Sequence, residues 1–191
     1  LPLTFEDGTT FPDTSNLEAL REYFKKVNES EKLPSTSQPV MGLYIELLED
    51  LVAKGYEQVF SVHLSSGISG TYKTACSLLE QFDDQIDTYC VDSKAASLVM
   101  AAMVEEIFSE VEDGIEGPEI FENIRWMADH SQIYLKVEKL DNLVKGGRVS
   151  PALGKIAGTL RIRPVLYFDE DGNIVLYENM RSDRIVYKRW A

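Results

Sequence analysis

Gln58-Val59-Phe60-Ser61-Val62-His63-Leu64 runs into Ser65-Ser66-Gly67-Ile68-Ser69-Gly70-Thr71-Tyr72, and the reading of this stretch decides the fold. The first seven residues have the composition of a β-strand, and the next eight are rich in hydroxyls and glycine. Beyond them Tyr72, Ala75, Cys76, Leu79 and Phe82 recur at helical spacing. The unit is strand, loop, helix, and it repeats. Ile86 to Val91 reads as a strand, Asp92-Ser93-Lys94 as a turn, and Ala95 to Val111 as a long helix. Such alternation predicts an α/β protein with a largely parallel sheet flanked by helices.

Working outward toward the start, Leu1 to Phe5 and Thr9 to Phe11 read as a hairpin around an Asp7-Gly8 turn. Ser15 is the expected cap of a first helix, with Glu18 completing a capping box and Leu17, Leu20, Phe24 and Val27 forming its inward face. A polar loop from Ser30 to Pro39 precedes a second helix, with Met41, Tyr44, Leu48 and Leu51 inward and Gly55 as its stop. Working the other way, a helix is expected from Gly117-Pro118 to about His130. Beyond it lie a strand at Ile133 to Val137, a short helix near Leu140 to Val144, and paired strands Arg163 to Phe168 and Ile174 to Tyr177. The change of pattern places a domain boundary near His130. Residues 1–130 form an N-terminal α/β domain, and residues 131–191 belong to a smaller domain with antiparallel strands.

Composition narrows the function. The 191 residues carry 19 Lys+Arg against 32 Asp+Glu, a formal net charge of −13, which argues against a nucleic-acid binder. The longest nearly apolar run, Ala95 to Val104, is too short for a membrane span, so no stable membrane insertion is expected. Cys76 and Cys90 form no CxxC pair and are expected to be reduced thiols of a cytoplasmic protein. His63 and His130 lack a nearby second ligand, so no metal site is expected. The charge is segregated. No basic residue lies between Lys94 and Arg125, whereas Lys136 to Arg163 holds Lys136, Lys139, Lys145, Arg148, Lys155, Arg161 and Arg163. That segment either favours anions or is a solvated basic surface.

Two loops place hydroxyls and backbone amides directly before a helix: Pro34-Ser35-Thr36-Ser37-Gln38-Pro39 and Ser65 to Thr71. A helix N-terminus has unpaired N–H donors and a partial positive charge, so such loops can hold an anion, and in an open α/β sheet they face one crevice. The plainer reading of the first loop is N-capping by Ser37 with Pro39 in the first turn. The second loop holds more hydroxyls than one cap requires. An alternative class stays open, a small-molecule enzyme such as a serine esterase using Ser66 or Ser69, although Thr71 stands where the GxSxG elbow needs its last glycine.

Thr36-Ser37-Gln38-Pro39, the Leu64 to Tyr72 run, Val91-Asp92-Ser93-Lys94, and Leu143 to Ser150 followed by Arg163-Pro164-Val165-Leu166 resemble the DegV family, over roughly Leu1 to Ser182. Within it the sequence is similar to the fatty-acid-binding subunits of bacterial fatty acid kinase. The resemblance implies a two-domain fold with the ligand site between the domains. It also implies a long-chain fatty acid as bound ligand, no other cofactor, no catalytic residue of its own, and an ATP-binding fatty acid kinase subunit as partner. Carried over, Thr36, Ser65, Ser66 and Gly67 bind the fatty-acid carboxylate, while Arg148 and Arg181 engage the partner or the phosphate. The resemblance further implies a strand ending in Asp-Ser-Thr before Leu1. After Ser182 it implies a continuation with a histidine or basic residue that closes on the carboxylate; Asp183 to Ala191 does not match that continuation.

The physics suits such a ligand. About fifteen methylenes leaving water gain on the order of 12 kcal/mol before association costs, so the tail supplies affinity. Neutral hydroxyl and amide donors satisfy the head group without a buried counter-charge.

Overall fold

The computed structural model of the chain describes residues 3–12, 14–30, 32–137, 140–153 and 163–190. The expected strand start at Leu1 and the basic residues Lys139, Lys155 and Arg161 lie outside these. The chain divides into two compact units, residues 1–40 and 41–191.

In the first unit, β1 (Leu3–Thr4) pairs antiparallel with β2 (Thr10–Phe11) and with β3 (Ser35–Thr36). The Asp7-Gly8 turn forms as expected: Gly8 takes φ +80°, and Asp7 Oδ1 accepts from the Thr9 amide at 2.9 Å. Lys26 reaches the same carboxylate at 2.7 Å, and these bonds hold the Asp7 pKa down at about 2. Helix α1 (Leu17–Glu29) differs from the sequence expectation in two ways. Its cap is Asn16 and not Ser15, because the Asn16 carboxamide oxygen reaches the amides of both Glu18 and Ala19, at 2.9 and 3.1 Å. Its inner face is built from Leu20, Tyr23 and Val27, whereas Leu17 and Phe24 are 73% and 57% exposed. Tyr23 draws the helix round, its ring meeting Phe5 and Phe11 edge-on at 6.1 and 5.8 Å.

The second unit opens with α2 (Met41–Ala53), which begins four residues beyond Ser37, so Ser37 is not its cap. Leu48 of α2 is buried, Tyr44 and Leu51 are half-buried, and Met41 is exposed. Strand β4 (Gln58–His63) pairs in parallel with β5 (Asp87–Asp92), from Gln58↔Asp87 to His63↔Asp92. The crossover is α3 (Thr71–Leu79), extended by one 3-10 turn to Phe82. Side chains alternate across the pleat. Val59 and Cys90 face Leu48, Leu79 and Phe82 of the α2 and α3 layer. Phe60, Val62 and Val91 face Met103, Ile107, Ile120 and Ile124 of α4 (Leu98–Glu112) and α5 (Gly117–His130). The parallel pair is thus covered on both faces, the α/β layering expected from the sequence.

After α5, β6 (Tyr134–Lys136), β7 (Arg163–Phe168) and β8 (Ile174–Met180) form an antiparallel sheet in that order. Helix α6 (Asp141–Lys145) follows β6, and Leu140, Val149 and Leu153 pack on Leu166, Phe168 and Ile174. A last helix, α7 (Asp183–Trp190), was not apparent in the sequence; its Val186 covers Val165 and Met180 on the other sheet face. Among the described residues no helix is long and apolar enough to cross a membrane.

The cap assignment is directly checkable. Asn16→Ala should lower stability by about 1 kcal/mol in urea denaturation, while Ser15→Ala should stay within about 0.5 kcal/mol of the parent.

Candidate functional site

The carboxyl ends of β4 and β5 release two loops, residues 64–70 and 93–97, which are sewn together by backbone bonds. The Ser65 amide donates to the Ala95 carbonyl at 3.0 Å, and the Ser93 amide to the His63 carbonyl at 3.2 Å. Asp92 Oδ1 accepts from the amides of both Ser66 (3.1 Å) and Lys94 (3.0 Å). Ser93 is fully buried and folds its hydroxyl back onto Ala95. Lys94 and Ser97 both have positive φ, at 49° and 55°, conformations that a residue with a side chain adopts only where its surroundings impose them.

A third element closes on these loops, the β7–β8 turn from Asp169 to Asn173. Asp169 Oδ1 accepts from the amides of Asp171 and Asn173, which shapes the turn and puts Gly172 at φ +75°. The Ser65 hydroxyl, wholly buried, donates to the Gly172 carbonyl at 2.6 Å and accepts from the Gly67 amide at 3.1 Å. A Cβ at Gly67 would stand 2.5 Å from the Gly172 oxygen, and one at Gly172 would collide with Ser65 Oγ. Arg148 braces the same loop from the other side, donating from Nε to the Ile68 carbonyl at 3.1 Å and from Nη1 to the Gly146 carbonyl at 2.5 Å.

This geometry changes the roles expected from the sequence. Ser65, Ser66, Gly67 and Arg148 are brought together, but the backbone amides from Ser65 to Ser69 are all engaged within the protein. The expected cradle of free amides is therefore already used by the loop's own folding, and the Ser65 proton is committed to Gly172. The Ser66 hydroxyl takes part in none of these bonds. Thr36 lies in β3 of the first unit and is exposed. Arg181 is exposed beyond the far end of β8, a seven-residue strand that carries it on the order of 20 Å from the Gly172 turn. Two members of the basic segment, Lys136 and Arg163, pair with Asp183 at 3.1 and 3.3 Å.

Neither histidine serves a loop serine. His63 Nε2 meets Ser61 Oγ at 2.7 Å, and Ser61 in turn meets the Tyr44 hydroxyl at 2.6 Å. Burial holds the His63 pKa below the usual histidine value, against the opposing pull of Asp92. His130 bonds the Trp126 carbonyl and stacks on its ring. Ser69 Oγ pairs with Thr71 Oγ1 at 2.8 Å. Among the described residues no group of three or more His, Cys, Asp or Glu side chains could hold a metal ion.

Two cavities flank the clasp. One of about 510 Å³ is lined by Gly67, Arg148, Ser150 and Asn173 together with the apolar Val144, Val149, Leu153 and Leu176. The other, about 300 Å³, is lined by Lys94, Asp129, Gln132 and Phe168, and Asp169 borders both. The larger is of a size that takes small organic ligands, and its lining mixes apolar side chains with a few polar groups as such sites do. The sequence reading missed Asp92 as the bracket of two loops and the Gly172 turn as their clamp. The only trace of the latter was the Asp-Gly-Asn turn between two strands.

Two loops at the carboxyl ends of parallel strands, clamped by a hairpin of an antiparallel sheet, define an α/β protein whose crevice lies at the strand ends, where ligands sit in open α/β sheets. Residues 1–190 match the family described as "Uncharacterised protein, DegV family", and the chain belongs to that family. A DegV domain-containing protein of Staphylococcus aureus is 34% identical over 184 residues, 96% of this chain and 63% of the relative. The chain therefore spans somewhat under two-thirds of that relative's length. The crystal structure of a fatty acid binding DegV family protein from Streptococcus agalactiae superposes with a TM-score of 0.88 at 30% identity, covering 98% of this chain and 65% of the other. That of DegV, a fatty acid binding protein from Bacillus subtilis, gives 0.82 at 30% identity, covering 99% and 66%.

The two serines should separate on mutation. Ser65→Ala strands the Gly172 carbonyl and should cost about 1–3 kcal/mol in chemical denaturation, whereas Ser66→Ala should change stability by less than about 0.5 kcal/mol.

Proposed function

We propose that this chain is the fatty-acid-binding part of a carrier that buries a long acyl chain and presents the carboxylate to a separate ATP-dependent kinase subunit, which converts it to an acyl phosphate. The observation that carries the binding half is the larger cavity. The loop that contributes Gly67 to its lining also carries Ser66, whose hydroxyl makes none of the loop's bonds, and the lining mixes Val144, Leu153 and Leu176 with Ser150, Asp169 and Asn173. The names of the relatives at 30% identity, which are fatty acid binding proteins, agree with this ligand class.

In this account Ser66 donates to the carboxylate, and Thr36 keeps the carboxylate-binding role that the family resemblance implies. Ser65 and Gly67 act one step back: the Ser65 hydroxyl holds the Gly172 turn against the loop, and Gly67 lets the two backbones approach. Neutral donors suit a carboxylate that must later react, because they satisfy its oxygens without a fixed ion pair. Arg148 holds the loop through the Ile68 carbonyl and keeps positive charge near the mouth, where an acyl phosphate would gain negative charge. Arg181, remote from the clasp, is assigned to contact with the partner. The boundary near His130 separates the layer that supplies the serine loop from the layer that closes on it. The protein itself supplies no bond-making residue here, and a cytoplasmic location follows from the need for ATP.

The test is the ligand. Protein purified from bacterial cells should release a fatty acid in denaturing mass spectrometry, and Ser66→Ala should weaken fatty-acid affinity about tenfold, the loss expected for a hydrogen bond to a charged group. Folded, full-length protein that never carries or binds a fatty acid would overturn the proposal.

A further inference from the structure

Lys94 belongs to the Val91-Asp92-Ser93-Lys94 motif, to which the proposed function gives no role. Its backbone is fixed and its head is not. The Lys94 amide shares Asp92 Oδ1 with the amide of Ser66, so the two nitrogens can be no farther apart than those two hydrogen bonds placed end to end. The left-handed backbone at φ 49° leaves the base of the side chain little freedom, and a Cβ at Gly172 would stand 3.3 Å from the Lys94 Cα. The side chain, by contrast, is 38% exposed, and its ammonium rests on Asp129 at 2.6 Å, with Asp92 and Asp171 adding negative charge nearby. An ion pair exposed to this degree is worth little, so exchanging its partner costs little. Lys94 and Asp129 both line the open cavity of about 300 Å³, so among the described residues no packed side chain pins the ion pair in place. Arg148, the other cation beside the loop, already has Nε and Nη1 on carbonyl oxygens.

We infer that Lys94 is the exchangeable cation of the head-group site: its ammonium leaves Asp129 for the carboxylate held at Ser66, and Asp129 competes with the ligand for it. The assignment rests on the fatty-acid reading above. The exchange moves no proton and breaks no covalent bond; one carboxylate replaces another on the same ammonium. It reconciles neutral donors with an anionic ligand, because the counter-charge arrives on a movable arm and can follow the charge as it grows. Because Asp129 holds the lysine away from the head group, this competition also sets how strongly the site distinguishes an acid from an uncharged lipid of the same length.

The experiment measures binding of anthroyloxy-labelled stearate and of its methyl ester to the full protein and to Lys94→Met, Asp129→Asn and the double variant, each checked for an unchanged thermal unfolding profile. Lys94→Met should weaken the acid about tenfold and leave the ester within about twofold. Asp129→Asn should tighten the acid about threefold by freeing the lysine, and the double variant should match Lys94→Met. Equal losses for acid and ester, or weakening by both single variants, would reduce the pair to a structural brace and overturn the assignment. If Lys94→Met fails the unfolding check, Lys94→Arg takes its place, and it must keep the preference for acid over ester that the parent has. A parent protein that binds neither probe would overturn the fatty-acid reading itself; a parent that binds the acid with no dependence on Lys94 or Asp129 overturns only this inference.

Discussion

One hydrogen bond organises the candidate site: the buried Ser65 hydroxyl donating to the carbonyl of Gly172, 107 residues away in sequence. A buried hydroxyl and a buried carbonyl each lose water on folding, and each is costly if left alone. Pairing them fixes the loop after β4 against the turn between β7 and β8, and two glycines make the approach close enough. The parallel layer and the antiparallel sheet of residues 41–191 are thereby held in one register, with the cavities on either side of the contact.

That contact also explains why the loop's many hydroxyls and glycines do not form an open anion nest. Backbone amides that could have cradled a ligand are turned inward to Ser65, Asp92 and Ala95, so the loop is rigid before any ligand arrives. What is left for chemistry is sparse: the Ser66 hydroxyl, a lysine on a weak ion pair, and an arginine that braces as much as it attracts. Rigid loops with few free donors favour binding over bond-making.

Much of the architecture was legible from the sequence because it depends on short-range patterns. The strand-loop-helix repeat at Gln58 to Phe82 and Ile86 to Val111 forced the parallel pair, and the Gly117-Pro118 start of α5 and the Arg163 to Phe168 strand fell where expected. Misjudged elements were those decided by competition. Ser15 and Asn16 both cap well, and only the carboxamide reaches two amides. Phe24 sits at helical spacing with Leu20, yet Tyr23 wins the inner face by meeting Phe5 and Phe11 edge-on. Roles within the site were less legible still. Ser65 and Ser66 are adjacent and chemically identical, and which one is spent on the fold depends on a turn more than a hundred residues downstream. Family resemblance pointed to the loop without separating the two.

The central claim is that an ionised carboxylate is held at Ser66 by hydrogen bonds while the chain is buried. Carbon-13 NMR of carboxyl-labelled palmitate bound to the full protein tests it most directly. Hydrogen bonds to the charged form lower a carboxyl pKa, whereas burial without them raises it. The account predicts one bound resonance that stays at the ionised shift well below the pH at which the free acid titrates, and that moves in Ser66→Ala. A bound resonance that protonates above the ordinary carboxylate range, indifferent to Ser66, would contradict it.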